Sequence, residues 1–115
     1  MCIRDSVAAD AGRDHRQLHV MDARGRIAAH TGAQCIDWCG HLAFDDVSLA
    51  GNMLAGEAVL SDTARAFADN ADLPFAQRLI VAMKAGEAAG GDKRGKQSAA
   101  LVIQGEEEWL SLIHI

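Results

Sequence analysis

The sequence has no long apolar run, no excess of basic residues and almost no proline. Its longest strictly apolar stretches are about five residues, as at 79–83, far short of the ~20 that a membrane-spanning helix needs. It carries 11 Lys and Arg against 16 Asp and Glu, a net charge of −5, so no broad basic surface is available for nucleic acid or an anionic membrane. Because 50% of the residues are hydrophobic, the composition excludes a disordered chain and indicates one globular domain or part of one.

The two ends of the chain read as translations of opposite strands of one DNA element. Residues 110–115 back-translate to CTG TCT CTT ATA CAC ATC, and one frame of the reverse complement encodes residues 1–5 and opens a codon for Ser6. This element resembles the transposase end used in sequencing libraries. We therefore expect residues 1–6 and 110–115 to be adapter-derived and leave them out of fold reasoning. The predicted domain, a partial one, is residues 7–109.

Apolar periodicity in the remaining chain predicts an α+β fold. Alternation is typical of half-buried strands, and a repeat at i, i+4 and i+7 is typical of an amphipathic helix. The predicted elements in chain order are strands over 17–22, 26–30 and 47–51, helices over 56–68 and 74–89, and a strand over 98–104. A turn with Gly25 at positive φ joins the first two strands, and a loop containing Gly and Trp precedes the third. Strands and helices are segregated, which favours helices layered on a sheet.

The same patterns predict which side chains are buried. Leu60, Ala64 and Phe67 form the apolar stripe of the first helix. The second helix begins at Pro74, ends before Gly90-Gly91, and buries Ala76, Leu79, Ile80 and Met83. The strand over 98–104 is continuously small and apolar, so we expect it to be covered on both faces.

The segment Gly90-Gly91-Asp92-Lys93-Arg94-Gly95-Lys96-Gln97 resembles part of a phosphate-binding loop. Such a loop leaves a strand and opens a helix, and its lysine is followed by a hydroxyl residue that reaches Mg²⁺. Here a helix ends and a strand begins, and Gln97 follows Lys96. The sequence therefore argues against nucleotide binding.

Cys35 and Cys39, with His30 and His41 nearby, could form a metal cluster. Their spacing matches no standard zinc pattern, and buried free thiols are the commoner outcome for such cysteines. We expect no metal and no cofactor.

A small number of polar residues lie where elements end, and each has a functional and a structural interpretation. Asn52, between a strand and a helix, could donate to a developing oxyanion or be a turn or cap residue. Asp92 and Arg94 could hold a substrate or form a solvated ion pair. Thr31 could lie at the rim of a site or simply where a strand ends.

Taken together, the ordered motifs closely resemble the domain of unknown function 1028 family, which is assigned to the Ntn-hydrolase-like superfamily. The matching runs are Asp22-Ala23-Arg24-Gly25-Arg26, His30-Thr31-Gly32, Cys35 with Trp38, Gly40 and His41, 51–56, and 85–100. The resemblance covers essentially all of residues 7–109, while Cys39 and residues 44–46 depart from the family pattern.

The resemblance implies an αββα sandwich and a parent enzyme that hydrolyses a C–N amide bond. In such enzymes an N-terminal Thr, Ser or Cys is the nucleophile and its own amine is the base. That residue would precede Val7, so the fragment itself is expected to be inactive. The resemblance suggests Asn52 as the oxyanion donor and Thr31, Asp92, Arg94 and Gln97 as substrate contacts.

The alternative is a non-catalytic ligand-binding or interaction domain on the same fold, because a fold does not fix a function. The hydrolase hypothesis expects a small-molecule substrate, and neither hypothesis expects nucleic acid or a membrane as partner. Unpaired sheet edges would favour a homo-oligomer or aggregation. The sequence does not fix the compartment, although the cytoplasm is favoured.

Overall fold

The computed structural model describes residues 7–105 and 110–114 and has a mixed α+β architecture. Residues 1–6 of the predicted adapter lie outside this range. The elements are β1 (Gln17–Met21), β2 (Ile27–Thr31), β3 (Gly40–Phe44), β4 (Val47–Gly51), helices α1 (Ala58–Asp69) and α2 (Phe75–Ala88), β5 (Ala100–Gln104) and β6 (Leu110–His114), with a short 3₁₀ turn at Arg13–His15. Among the described residues, no helix is long and apolar enough to cross a membrane.

Strands β1 and β2 form the predicted antiparallel hairpin. Gln17 pairs with Thr31 at the open end and Met21 with Ile27 at the turn. Gly25 has φ +78° and its N–H donates to the carbonyl of Asp22. A turn at positive φ favours glycine, so the sequence signal and the structure agree.

Strand β3 was not predicted, because its segment was interpreted as a loop. It pairs with β4 in an antiparallel hairpin whose last pair is Phe44 with Val47. The two residues between them, Asp45 and Asp46, have φ +32° and +64°, as a tight hairpin turn requires. Aspartate tolerates this region better than most residues, but two aspartates without glycine give only a weak turn signal in the sequence.

Helices α1 and α2 pack against each other, and most of the buried side chains lie between them. The apolar stripe predicted for α1 is confirmed, since Leu60, Ala64 and Phe67 are all buried. The guanidinium of Arg78 on α2 lies 3.6 Å from the centroid of the Phe67 ring, and its Nε donates to the Phe67 carbonyl at 2.6 Å. This cation–π contact and hydrogen bond join the carboxyl end of α1 to the first half of α2.

The buried face predicted for α2 is partly wrong. Met83 is 65% exposed, and Ala82 and Gly86 are the residues of α2 that are buried. Ala76, Leu79 and Ile80 are intermediate. The reason is steric, because a Cβ on Gly86 would lie 2.3 Å from Thr63 Oγ1. The two helices therefore contact each other through small residues, and the larger apolar side chains of α2 lie to one side of the contact.

Strand β5 is shorter than predicted and is not covered on both faces. Exposed and half-buried residues alternate along it, and Val102 is 56% exposed. It pairs antiparallel with β6, from Ala100–His114 to Gln104–Leu110. Strand β6 lies in the segment that the DNA argument assigns to an adapter. The pairing does not bear on that origin, because an open strand edge pairs with any suitable strand.

The contact between Gly86 and Thr63 predicts a strong effect of one added methyl group. Gly86→Ala should lower the free energy of unfolding by about 1–3 kcal/mol, because overpacking forces the helices apart. Thermal or urea unfolding measures the loss. Gly56→Ala is the matched control, since a Cβ there meets nothing within 4 Å.

Combining Gly86→Ala with Thr63→Ala removes the hydroxyl that the new methyl group would strike. The double variant should lose less stability than the sum of the two single variants. Strict additivity would contradict a direct steric contact between these two residues.

Candidate functional site

The open ends of the β1–β2 and β3–β4 hairpins meet around the side chain of Gln17. Its Nε2 lies within hydrogen-bond distance of three acceptors, the carbonyl of Gly40 at 2.8 Å, that of Gly51 at 2.9 Å and Thr31 Oγ1 at 3.0 Å, and shares its two hydrogens among them. These acceptors belong to the other three strands of the two hairpins. One half-buried carboxamide therefore joins all four strands at this end.

The two carbonyls fix which way the Gln17 carboxamide points. A carbonyl oxygen only accepts, so the amide nitrogen must face Gly40 and Gly51 and Oε1 must face away. Oε1 accepts from Asn52 Nδ2 at 3.2 Å. Because Oε1 cannot donate, Asn52 must present its own nitrogen to it. The carbonyls of Gly40 and Gly51 orient the Gln17 carboxamide, and Gln17 in turn orients the carboxamide of Asn52.

Thr31 carries the network on to His41. Thr31 Oγ1 lies 2.8 Å from His41 Nδ1. Which of the two groups donates depends on the tautomer of His41. The structure thus joins Thr31 and Asn52, both predicted site residues, through Gln17.

The loop after α2 runs alongside the segment that contains Asn52. Lys93 N donates to the Met53 carbonyl and Ala55 N to the Gly91 carbonyl, both at 2.8 Å, and Leu54 and Asp92 form an antiparallel bridge. As predicted, the helix ends before Gly90-Gly91. Gly90 has φ +124°, and a Cβ there would lie 2.5 Å from that of Ala55. Glycine is therefore required for the two segments to approach.

Within this loop, Asp92 and Arg94 form a tight ion pair. Arg94 Nε lies 3.0 Å from Oδ1 and Nη2 lies 2.6 Å from Oδ2, and the Arg94 backbone N–H also donates to Oδ1. Hydrogen bonds from the Arg94 side chain and backbone lower the pKa of Asp92 to about 2, so the carboxylate stays ionised at neutral pH.

Gln97 is less closely tied to the site. Its Nε2 donates to the carbonyls of Arg94 and Lys96, each at 3.4 Å, and the side chain is exposed. Within the described residues it makes no hydrogen bond to Asn52 or Thr31. The structure thus places Asp92 and Arg94 on the segment that pairs with residues 53–55, directly after Asn52 in the chain, and leaves Gln97 further along the loop.

The cysteine and histidine residues do not converge. Cys35 and Cys39 are free thiols, and partial burial raises the pKa of Cys39. His30 Nε2 lies 2.8 Å from the Arg13 carbonyl, while His41 contacts Thr31. Residues 7–105 contain no group of three metal-ligating side chains.

An open groove between the two helices is separate from this site. It is lined by polar residues of α1 and small residues at the end of α2, namely Asp62, Arg65, Ala66, Asp69, Asn70, Ala85, Ala88 and Ala89. None of the predicted site residues lines it. We place the candidate site at Asn52 because hydrogen-bonded polar groups from several elements converge there. The groove between the helices has no such convergence of predicted site residues.

Sequence reasoning missed Gln17, the residue on which the site is built. Its one signal is its position: alternation in β1 puts Leu18 and Val20 on one face and Gln17 with His19 on the other. That pattern indicates a solvated face. It cannot show that three other strands end beside Gln17.

Comparison with known proteins supports the family resemblance. A family model described as "Family of unknown function (DUF1028)" matches residues 2–113. The crystal structure of protein SPO2555 from Silicibacter pomeroyi, described with the same family model, is 34% identical with a TM-score of 0.87. The match covers 98% of this chain and 48% of that one, so the chain spans about half the length of that protein. No curated protein matches the chain.

The Gln17 carboxamide should contribute more to the free energy of unfolding than a partly exposed side chain usually does. Gln17→Met keeps the shape but removes the side-chain hydrogen bonds to the Gly40 and Gly51 carbonyls. We expect about 1–3 kcal/mol of lost stability, because each of the two bonds contributes about 0.5–1.5 kcal/mol. Urea unfolding measures this. Gln104→Met, at an exposed position on β5, is the control, and equal losses in the two variants would contradict the network.

The Asp92–Arg94 pair predicts a specific pH dependence. Because the folded-state pKa of Asp92 is lowered to about 2, the pair stabilises the loop fully above the unfolded value near 3.9 and its contribution falls as the pH drops toward 2. A ¹³C NMR titration of the Asp92 carboxyl should show this low midpoint. Arg94→Gln should raise it, and an unchanged midpoint would rule out the pairing.

Proposed function

This chain belongs to the DUF1028 family, a family of unknown function, and from that premise we propose that its full-length protein hydrolyses a C–N amide bond. In this proposal the fold of the whole protein is the αββα sandwich of Ntn-hydrolase-like enzymes. An N-terminal Thr, Ser or Cys, on a strand preceding Val7, attacks the amide with its own amine as base. The residues of this chain then orient the substrate and stabilise the oxyanion.

The observation that carries the proposal is the fixed orientation of the Asn52 carboxamide. Nδ2 donates one hydrogen to Gln17 at 3.2 Å, and within the described residues its second hydrogen has no acceptor. Asn52 is exposed. A donor held in place before the reaction and facing open space is what a developing oxyanion requires, because no reorganisation is then needed in the transition state.

The surroundings of Asn52 support a binding site around it. Thr31 lies one residue further along the network, and Asp92 and Arg94 lie on the adjacent segment. We assign substrate contacts to these three residues and to Gln97 on the same loop.

The exposed apolar residues of the hairpins support a second covering layer. Val20 is 40%, Met21 43% and Leu42 37% exposed. Side chains of this kind pack between the sheets of a β-sandwich, where inner faces lie about 10 Å apart. Val20 and Met21 are neighbours on β1 and point to opposite faces, so a layer supplied by the rest of the protein, as the αββα arrangement requires, would cover one of the two.

One experiment separates the hydrolase from a non-catalytic binding domain on the same fold. The full-length protein is purified, its mature N-terminus is determined by mass spectrometry, and it is incubated with a panel of N-acyl amides. A processed Thr, Ser or Cys terminus with release of the amine supports the hydrolase. Full activity after replacement of that residue would contradict the nucleophile, and binding without turnover would favour the binding domain.

Asn52→Ala in the active full-length protein should lower kcat by about 10²–10³-fold with little change in KM, because an oxyanion donor acts mainly in the transition state. Steady-state kinetics measures both constants. Asn70→Ala is the matched control, since Asn70 ends α1 and its Nδ2 donates to the Ala66 carbonyl. A loss confined to KM would instead make Asn52 a substrate-binding residue.

A further inference from the structure

The loop beside Asn52 concentrates positive charge in a chain that is acidic as a whole. Residues 90–97 contain the cations Lys93, Arg94 and Lys96 and the single acid Asp92, a local charge of +2 against −5 for the chain. Lys96 is paired with Glu87 at 3.0 Å. Lys93 is exposed and makes no ion pair within the part of the chain that the structure describes.

The register of the two segments brings this charge to the site. Leu54 faces Asp92, with hydrogen bonds from Lys93 N to the Met53 carbonyl and from Ala55 N to the Gly91 carbonyl. Arg94 directly follows Lys93 and Asn52 directly precedes Met53, so the two residues flank the hydrogen bond from Lys93 N to the Met53 carbonyl. The side chain of Arg94 is 55% exposed, so a ligand at Asn52 can reach it.

Asp92 holds Arg94 by one edge of the guanidinium and leaves another open. The carboxylate uses Nε and Nη2, at 3.0 and 2.6 Å. Within residues 7–105, Nη1 makes no hydrogen bond, and Nη2 retains a second hydrogen. The edge formed by Nη1 and Nη2 is a planar two-donor fork, the geometry that matches a carboxylate.

From this geometry we infer that the ligand of the Asn52 site carries a carboxylate close to its amide bond. The open edge of Arg94 binds this carboxylate, and the positive charge of Lys93 attracts it. The inference rests on the proposed function and names its substrate class: N-acyl amino acids or related acylated compounds with a free carboxylate. Asp92 is then a positioning residue that orients Arg94. The ion pair that would look like a solvated surface contact becomes one half of the binding site.

The test compares matched amides in the full-length protein. N-acyl glycines with acyl chains from acetyl to decanoyl are paired with the corresponding N-acyl glycinamides, which replace the carboxylate by a neutral carboxamide of similar shape. Hydrolysis is followed by release of the amine. Binding of each pair is measured separately by NMR shifts of the Asn52 and Arg94 side-chain N–H groups, so that recognition is observed even without turnover.

The informative variant removes the Arg94 fork without changing the net charge. In Asp92→Asn with Arg94→Gln, one negative and one positive group are lost together. The matched control is Glu87→Gln with Lys96→Gln, which removes the ion pair between the same loop and α2. A thermal melt of each variant establishes that it is folded, and Arg94→Lys, which keeps the charge but loses the fork, provides a second measurement.

We expect the carboxylate member of a pair to be preferred by about tenfold to a hundredfold, the range of one or two hydrogen bonds to a charged group. The preference should disappear in the first double variant and persist in the control. Equal hydrolysis of both members would overturn the inference and leave the hydrolase proposal standing. Preferential binding of the carboxylate without hydrolysis would support the inference and overturn the hydrolase proposal. Equal binding without hydrolysis would overturn both.

Discussion

The hydrogen bonds from the Gln17 carboxamide to the carbonyls of Gly40 and Gly51 join the open ends of the two hairpins. They tie β1 to both strands of the other hairpin, and each such bond contributes about 0.5–1.5 kcal/mol to stability. The same bonds leave Oε1 pointing at Asn52. A requirement of folding therefore also fixes the orientation of the candidate catalytic group.

Local features of this chain were predictable because they depend on neighbouring residues. The β1–β2 hairpin follows from alternation and Gly25, and α1 follows from the spacing of Leu60, Ala64 and Phe67. Strand β3 was missed because Asp45-Asp46 is an unusual tight turn, and propensity carries little weight where tertiary pairing decides. The nearness of Asn52 and Asp92 was suggested by family resemblance alone, since residues 40 positions apart share no local signal.

Helix α2 shows a different limit of sequence patterns. Its strongest apolar stripe, ending at Met83, predicted the buried face only in part, because burial there is decided by how closely α1 can approach. Gly86 permits contact with Thr63, so the small-residue face packs and the bulky one stays partly exposed. The spacing of apolar residues reflects the free energy of transfer from water, whereas helix pairing also depends on the shapes of the two surfaces.

The loop 90–97 combines a feature that neighbouring residues determine with one that tertiary packing determines. Its glycines are readable from the sequence as a helix stop, but their consequence is tertiary. Gly90 lets the backbone pass against Ala55, and Asp92 then pairs with Leu54, two residues after Asn52. An exposed ion pair contributes little to stability by itself. Its value here is geometric, because a guanidinium held along one edge presents the other in a fixed plane, and a fixed donor loses less entropy when a ligand binds.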